Sequence, residues 1–359
     1  MASIWNIFSR RVETRAVQPT IPSRAATTVN PSTALTLTAI YRAVSILGTS
    51  VAGLRLETFR YAGGIEQKID NPLLVNNPSL EDTRRDFLFQ SVVSLALDGN
   101  AFWLKTPDSR GGTNNLTILD PGSVGVRLDG VNGLTGRKVY DYLGQTYTAD
   151  QIEHLKIFSR PGLLRGISPT QSASKDIAAQ IDWRDFAANW NSAGGVPTGV
   201  LKTALNLSKD DADLVTANWH NKQQSRQIAV LGSGFEYQPV ALSPKDALFT
   251  DIQSQNVQQI ARLYGIPARM LLTGIDGSSD TYTNMVEELQ IFYKTTLINY
   301  LDAIADGLSR CLPRGTATRF SFDDLFRADP ASRYNLYQTA IAAGFMTIDE
   351  VRQKEGLNV

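Results

Sequence analysis

Gly166-Ile167-Ser168-Pro169 begins a helical pattern that runs to Gly194-Gly195, and Ser243-Pro244 begins a second one that ends at Gly265-Ile266-Pro267. Serine followed by proline is typical of a helix start, because the serine side chain can cap the helix and proline is tolerated in the first turn. A short insert with strand-like runs separates the two patterns, and a third helix is predicted over about 284–312. Two long helices that carry a compact β-containing tip indicate a stalk, which is more typical of a part of an assembly than of an enzyme.

The chain on the N-terminal side of these helices has the pattern of an α+β body. Apolar residues recur at helical spacing from about Leu37, and a second helix is predicted over roughly 81–97, ending at Gly99-Asn100. Short alternating runs follow up to about Phe158, cut by Asp-Gly, Asn-Gly and Asp-Pro-Gly turns. The predicted fold class is therefore α+β.

The two ends of the chain differ in character. Residues 1–34 carry four arginines against one glutamate, with scattered proline and threonine, and we interpret them as an arm that is either mobile or extended over a neighbour. A short strand is predicted over 318–322, followed by two small helices. The second of these begins with the capping box Thr347-Ile348-Asp349-Glu350.

The composition bounds the function classes. Among 359 residues, 42% are apolar, so a substantial core can form, and 35 basic residues balance 35 acidic ones. A neutral chain is a poor candidate for tight nucleic-acid binding, which depends on excess lysine and arginine, but it suits a channel through which DNA slides. One cysteine, Cys311, excludes an intrachain disulfide and indicates a reducing compartment. Neither a membrane span nor a signal peptide is expected, so we expect the protein to work inside a cell or in a particle assembled there.

The sequence offers little that could support catalysis. The only histidines, His154 and His220, lack metal-site spacing, and we expect both to be structural or on the surface. The nucleophile-elbow and P-loop motifs are missing, so no enzymatic activity and no cofactor are expected. Asp210-Asp211 and Asp323-Asp324 are adjacent pairs, and neighbouring side chains point apart, so solvated or capping roles are favoured over acid–base catalysis.

A glycine-, serine- and aspartate-rich segment, 274–280, is the sharpest functional candidate. It lies between the helix that ends at Pro267 and the longest predicted helix, where a loop can project into a cavity. An ordinary surface connection is the alternative. Residues 268–283 hold Arg269 against two aspartates, a net charge of −1 that suits a surface past which DNA must move.

Six short motifs, in this order, resemble the portal proteins of long-tailed bacteriophages. The resemblance covers about 39–357. The motifs are Gly99-Asn100-Ala101, Gly166-Ile167-Ser168-Pro169, Gly195-Val196-Pro197-Thr198-Gly199-Val200-Leu201, Ile260-Ala261-Arg262-Leu263-Tyr264-Gly265-Ile266-Pro267, Arg327-Ala328-Asp329 with Arg333-Tyr334, and Gly344-Phe345-Met346-Thr347-Ile348-Asp349-Glu350-Val351-Arg352 with Glu355-Gly356-Leu357. Each motif is a weak signal alone, but six of them in the expected order form a specific signature.

The resemblance implies a portal architecture with named parts. These are an N-terminal arm (1–34), an α+β wing (35–168), a two-helix stem (169–195 and 242–266), an α/β clip (196–241), a tunnel loop (267–283), a tunnel helix with a wing strand (284–328) and a small helical crown (329–359). The DNA-channel residues it implies are Asp276, Gly277, Ser278, Ser279, Asp280 and Thr281, and the terminase-facing clip residues are Lys209, Asp210, Asp211, Lys222 and Gln223.

The resemblance also implies a role and partners. It implies a homo-oligomeric ring, dodecameric in virions, at one capsid vertex, through which double-stranded DNA passes non-specifically during packaging and ejection. The implied partners are the terminase large subunit, the major capsid protein and scaffold, and a head–tail connector. The implied location is the virion, after assembly in the cytoplasm of the host bacterium.

Two other functions stay open at this point. One is a metal-dependent nucleic-acid enzyme that uses Asp323 and Asp324. The other is a head–tail adaptor that forms rings but never contacts the terminase.

Overall fold

The fold is described by a computed structural model. The residues it describes are 28–109, 111–130, 136–193, 199–203, 208–224, 235–239, 249–271, 288–321 and 330–357. Features of the sequence that lie outside the described residues therefore include most of the N-terminal arm, Gly194-Gly195, Ser243-Pro244, the 274–280 segment, the Asp323-Asp324 pair and Arg327-Ala328-Asp329.

Helices and strands both occur along the chain, as the α+β prediction requires. The helices are α1 (Pro31–Ala34), α2 (Thr38–Ala52), α3 (Leu73–Asn76), α4 (Arg84–Asp98), α5 (Pro169–Ser172), α6 (Ser174–Ala193), α7 (Lys209–Gln224), α8 (Phe249–Tyr264), α9 (Ile298–Cys311), α10 (Pro330–Ala342) and α11 (Ile348–Lys354). The strands are β1 (Arg55–Ala62), β2 (Ile65–Ile69), β3 (Asn100–Pro107), β4 (Thr113–Leu119), β5 (Gly125–Asp129), β6 (Arg137–Tyr142), β7 (Gln145–Thr148), β8 (Ile152–Lys156), β9 (Gly199–Thr203), β10 (Phe235–Pro239) and β11 (Thr316–Ser321). Among the helices of the described ranges, none combines the length and apolar character that crossing a membrane requires.

The strands form small antiparallel sheets. The body holds three of them, in the orders β11-β1-β2, β4-β3-β8 and β5-β6-β7. Strand β11, which follows α9, pairs with β1, where Leu56 is opposite Phe320. This pairing returns the chain to the N-terminal body after the helices α5 to α9.

One hydrophobic core joins the body to α9. Apolar faces of α2, α4 and α9 contribute to it, with Trp103 of β3 fully buried between them. The Trp103 indole donates to Ser91 Oγ (3.0 Å), so its polar atom is satisfied. Gly307 lets α9 approach closely, because a Cβ there would lie 2.9 Å from the Trp103 ring.

The first long helix is broken, which the sequence pattern did not predict. The chain forms α5 and α6 with Ala173 between them at φ −101° and ψ 19°. Ser172 Oγ donates to the Ser168 carbonyl (3.0 Å), a back-bond that bends helices. The predicted Ser168 cap is confirmed, since its side chain accepts from Gln171 N–H (2.8 Å).

The two long helices lie side by side where they leave the body. Thr170 Oγ1 and the Tyr264 hydroxyl are 3.2 Å apart, and both residues are buried. Ile177 of α6 and Ile260 of α8 belong to the same apolar cluster. Between these two helices in sequence, the chain forms the antiparallel pair β9–β10 and the helix α7. Helix α7 extends through Lys222, Gln223 and Gln224, which are residue types that favour helix.

Candidate functional site: a junction and a loop base

The junction between the body and the paired helices is built around Asn100. Its Oδ1 accepts from Gly166 N–H (2.6 Å), and its Nδ2 donates to the Gly166 carbonyl (3.1 Å) and the Asp98 carbonyl (3.0 Å). The two motifs that contain Asn100 and Gly166 are 66 residues apart in sequence and are joined by this reciprocal pair. Asn100 is 1% exposed, so its amide depends on hydrogen bonds within the protein.

The glycines of these motifs allow the two chain segments to touch. Gly99 has a φ of +80°, and a Cβ there would lie 2.6 Å from Ile167 C and Ser168 N. A Cβ on Gly166 would lie 2.5 Å from the carbonyl oxygens of Gly99 and Ile157. Because all of these contacts are with main-chain atoms, no side-chain movement could relieve them.

His154 completes the junction as a neutral, structural side chain. Its Nε2 lies 3.0 Å from Asn100 Oδ1, and since an amide oxygen only accepts, Nε2 is the protonated nitrogen. The ring stacks on Phe102 with centroids 4.3 Å apart. Burial, with smaller contributions from Lys156 and other cations nearby, lowers the pKa of His154 to about 3. Its contacts with Asn100 and Phe102 give this imidazole a structural role in the junction.

No other cluster in the described ranges suggests catalysis. Groups of three or more histidine, cysteine, aspartate or glutamate side chains that could hold a metal are missing there. Cys311 is buried on α9, as its apolar stripe predicts, and burial raises its thiol pKa to about 12. The side chain of His220, within α7, lies outside the described residues.

The base of the predicted channel loop is the second candidate. Helix α8 ends at Gly265 with φ +64°, where Ile266 N–H donates to the Ala261 carbonyl (2.9 Å), a glycine-dependent helix end. The chain then makes a single turn over Ala268–Leu271 and returns as a helix at residue 288. Arg269 Nε and Glu288 Oε1 lie 3.8 Å apart, so an ion pair joins the two ends from which the loop leaves.

The returning helix contains a π turn over Tyr293–Leu297, before α9 begins. Thr296 Oγ1 donates to the Gly265 carbonyl (2.7 Å), across 31 residues of sequence. The sequence pattern predicted an unbroken helix here. That prediction was wrong. A π turn holds one residue more than an α turn, and the spacing of apolar residues in the sequence does not reveal one extra residue.

The predicted channel and clip residues can be placed only in part. The channel residues Asp276 to Thr281 lie outside the described residues. Lys209, Asp210 and Asp211 are exposed in the first turn of α7, where Asp211 N–H donates to Ser208 Oγ (3.2 Å) and Ser208 Oγ donates to the Asp211 carboxylate (2.6 Å). Ser208 therefore caps the helix, and Asp211 is its partner in the first turn, so Asp211 has a structural role. Lys222 and Gln223 belong to the last turn of α7, with side chains outside the described residues.

The two C-terminal motifs also meet. Arg333 of α10 forms an ion pair with Glu355, just after α11, with Nε to Oε1 at 2.8 Å, and the Tyr337 hydroxyl donates to the same carboxylate (3.0 Å). The predicted capping box is confirmed, since Glu350 Oε2 accepts from Thr347 N–H (2.7 Å) and Thr347 Oγ1 accepts from Glu350 N–H (3.3 Å). Sequence motifs that looked like separate weak signals are therefore contact partners in space.

Comparisons with known proteins agree with one another. The family model described as "Phage portal protein" matches residues 38–356. The "Probable portal protein" of Streptomyces phage phiC31 is 28% identical over 380 residues, covering 96% of this chain and 82% of that protein. The "Portal protein" of Enterobacteria phage HK97 is 27% identical over 354 residues, covering 92% of this chain and 80% of that protein.

Solved structures share the fold. A crystal structure of an HK97-family phage portal protein from Corynebacterium diphtheriae superposes with a TM-score of 0.61 at 16% identity, covering 83% of this chain and 96% of that one. A chain from the neck of a native gene transfer agent particle, computed with C12 symmetry, gives a TM-score of 0.58 at 22% identity and covers 94% of this chain and 97% of that one.

Proposed function

The chain belongs to the phage portal protein family and is a subunit of a portal ring, and from that premise we propose where its parts lie and what they contact. One observation carries the proposal: the family match extends over residues 38–356 and so includes the body, both long helices, the tip and the C-terminal helices. The proposed parts keep the boundaries given above, from the wing (35–168) to the crown (329–359).

We propose a dodecamer, with the two long helices as the stem of each subunit. A closed ring uses a heterologous interface, in which one face of a subunit contacts the opposite face of its neighbour. The similar neck structure computed with C12 symmetry supports twelve subunits. Helices α6 and α8 are 20 and 16 residues long, and Thr170 and Tyr264 join the chain at their bases, as a stem requires.

We propose that the loop between Leu271 and Glu288 faces the DNA. The Arg269–Glu288 ion pair neutralises the only basic side chain of the 268–283 segment, and residues 272–287 contain Asp276, Asp280 and Glu287 but no lysine or arginine. Each lysine or arginine that neutralises a phosphate strengthens DNA binding, and a conduit must avoid such binding. An acidic loop therefore suits translocation driven by another protein.

The clip, 196–241, is the proposed docking surface for the terminase large subunit and, later, for a head–tail connector. The wing and crown are the proposed contacts for the major capsid protein and scaffold, in a particle assembled in the cytoplasm of the host bacterium. The portal subunit itself is proposed to be non-enzymatic, with the terminase supplying the ATPase. The family assignment favours this role over both a metal-dependent nuclease and a head–tail adaptor.

Terminase capture tests the clip assignment. In rings that carry Lys209→Ala with Asp210→Ala, we expect the affinity for the terminase large subunit to fall at least about fivefold, because interface side chains that matter cost more than about 1 kcal/mol when truncated. Asp211 is left intact because it is hydrogen-bonded to Ser208, the cap of α7.

The matched control is Asp150→Ala with Arg314→Ala, which also removes one exposed acid and one exposed base, but from the body. Binding should be measured by surface capture of purified rings. Equal affinity for the control, the double variant and the unmodified ring would contradict a terminase contact at this end of α7.

A further inference from the structure

The π turn over Tyr293–Leu297 divides the helical segment that runs from residue 288 to Cys311. The part after the turn is fixed in the body, and the part before it leads to the loop. Beyond it, Tyr300, Leu301 and Ile304 are buried in the body core, so α9 cannot rotate. Before it, Leu289 and Ile291 are 38% and 60% exposed. A π turn holds one residue more than an α turn, and each residue of a helix turns it by about 100° and advances it by about 1.5 Å. The π turn therefore sets the direction in which the helix before residue 293 points.

The helix just before the π turn is packed on one side and exposed on the other. Phe292 is 1% exposed and belongs to the hydrophobic core, whereas Ile291 borders a groove that is open to solvent and is also lined by Ile266, Pro267 and Thr295. Contacts with the end of α8 therefore have a larger share in positioning the exposed side of this helix.

That hydrogen bond is the one from Thr296 to the Gly265 carbonyl (2.7 Å). Thr296 lies inside the π turn, and Gly265 lies at the helix end from which the chain enters the loop. Gly265 is fitted to this contact, because a Cβ there would lie 2.5 Å from Thr296 Oγ1. The bond thus joins the outgoing and returning ends of the loop, close to the Arg269–Glu288 pair.

We propose that Thr296 is a positioning residue, whose bond to Gly265 holds the π turn and so fixes the angle at which the loop is presented to DNA. This rests on the proposed function, in which that loop faces the channel. Without the bond, the exposed side of the returning helix loses a contact with the end of α8, so the helix before residue 293 can tilt relative to α8 while Phe292 stays buried. The loop ends at Leu271 and Glu288 would then separate from their present alignment.

Three variants of the full-length ring test this. Thr296→Val keeps the shape and removes the hydroxyl, Thr296→Ser keeps a hydroxyl, and Thr295→Val is the matched control, because Thr295 Oγ1 donates only to Ile291 of its own helix (2.7 Å). Hydrogen exchange of the backbone amides of residues 293–297 is measured on rings without DNA. We expect exchange about five to ten times faster in Thr296→Val, the effect of losing one ordinary hydrogen bond. The Thr295→Val and Thr296→Ser variants should exchange like the unmodified ring.

The second readout separates positioning from mere support. Heads assembled with Thr296→Val rings should contain fewer filled particles, with ring assembly unchanged, and Thr296→Ser should restore filling. Equal exchange in Thr296→Val and Thr295→Val would overturn the proposal, and so would faster exchange with unchanged filling. Because exchange is measured without DNA, it tests Thr296 alone, whereas failure of the unmodified ring to support packaging would contradict the proposed function instead.

Discussion

Replacing Gly99 by alanine is expected to destabilise the subunit by about 3 kcal/mol or more. A left-handed conformation costs an ordinary residue about 1–2 kcal/mol, and Gly99 has a φ of +80°. The added Cβ would also lie 2.6 Å from main-chain atoms of Ile167 and Ser168, forcing the two segments apart. Separating them breaks the buried pair between Asn100 and Gly166, and each buried polar group left unsatisfied costs about 1–3 kcal/mol.

Gly144→Ala is the matched control for this experiment. Gly144 has nearly the same backbone conformation, with φ +79°, but nothing lies within 4 Å of its would-be Cβ. The control should lose only the conformational part, about 1–2 kcal/mol. Urea midpoints should be compared at one protein concentration, because assembly adds concentration-dependent stability. Similar losses in both variants would show that the close approach at Gly99 contributes nothing.

Charge reversal in the loop, Asp276→Lys with Asp280→Lys, is expected to reduce DNA-filled heads at least about tenfold without affecting ring formation. Each subunit would gain two cations, so a ring would hold DNA through many phosphate contacts at once. The affinity gained through such contacts rises steeply with their number. DNA that binds the channel wall cannot advance freely, so translocation should stall.

The neutral variant, Asp276→Asn with Asp280→Asn, separates charge from shape. It removes the repulsion without adding phosphate contacts, and we expect only a small loss of filling. Raising the salt concentration during packaging in vitro should partly rescue the lysine variant, because salt weakens phosphate contacts. Normal filling by the lysine variant would mean that these two side chains do not face DNA.

Local chemistry made much of the fold predictable. The caps at Ser168 and Thr347 and the left-handed ends at Gly99 and Gly265 were all expected from neighbouring residues, and each is present. Such features depend on hydrogen bonds within a few residues, which a sequence displays directly. The α+β class followed from the change between helical and alternating periodicity.

Long-range contacts explain what the sequence did not reveal. The break at Ala173 and the π turn over Tyr293–Leu297 are accompanied by bonds to distant residues, Thr170 to Tyr264 and Thr296 to Gly265. The motifs around Asn100 and Gly166 signalled importance, but nothing in their spacing showed that they touch.

The sequence located the residues of the candidate loop and clip but did not show which of their side chains pair with neighbours. The net charge of −1 was counted over residues 268–283 and included Arg269. The structure pairs Arg269 with Glu288, which lies outside that segment, so the positive charge is already balanced. Asp211 proved to be the hydrogen-bond partner of the Ser208 cap, whereas Lys209 and Asp210 remain clip predictions. The channel residues from Asp276 to Thr281 likewise remain predictions.

Imaging of the purified full-length chain at micromolar concentration tests the ring itself. Particle averages should show closed rings with a central opening wide enough for a DNA duplex, and the number of subunits, which we expect to be twelve, should be countable. A chain that stays monomeric under these conditions, or that forms only particles without an opening, would contradict the account.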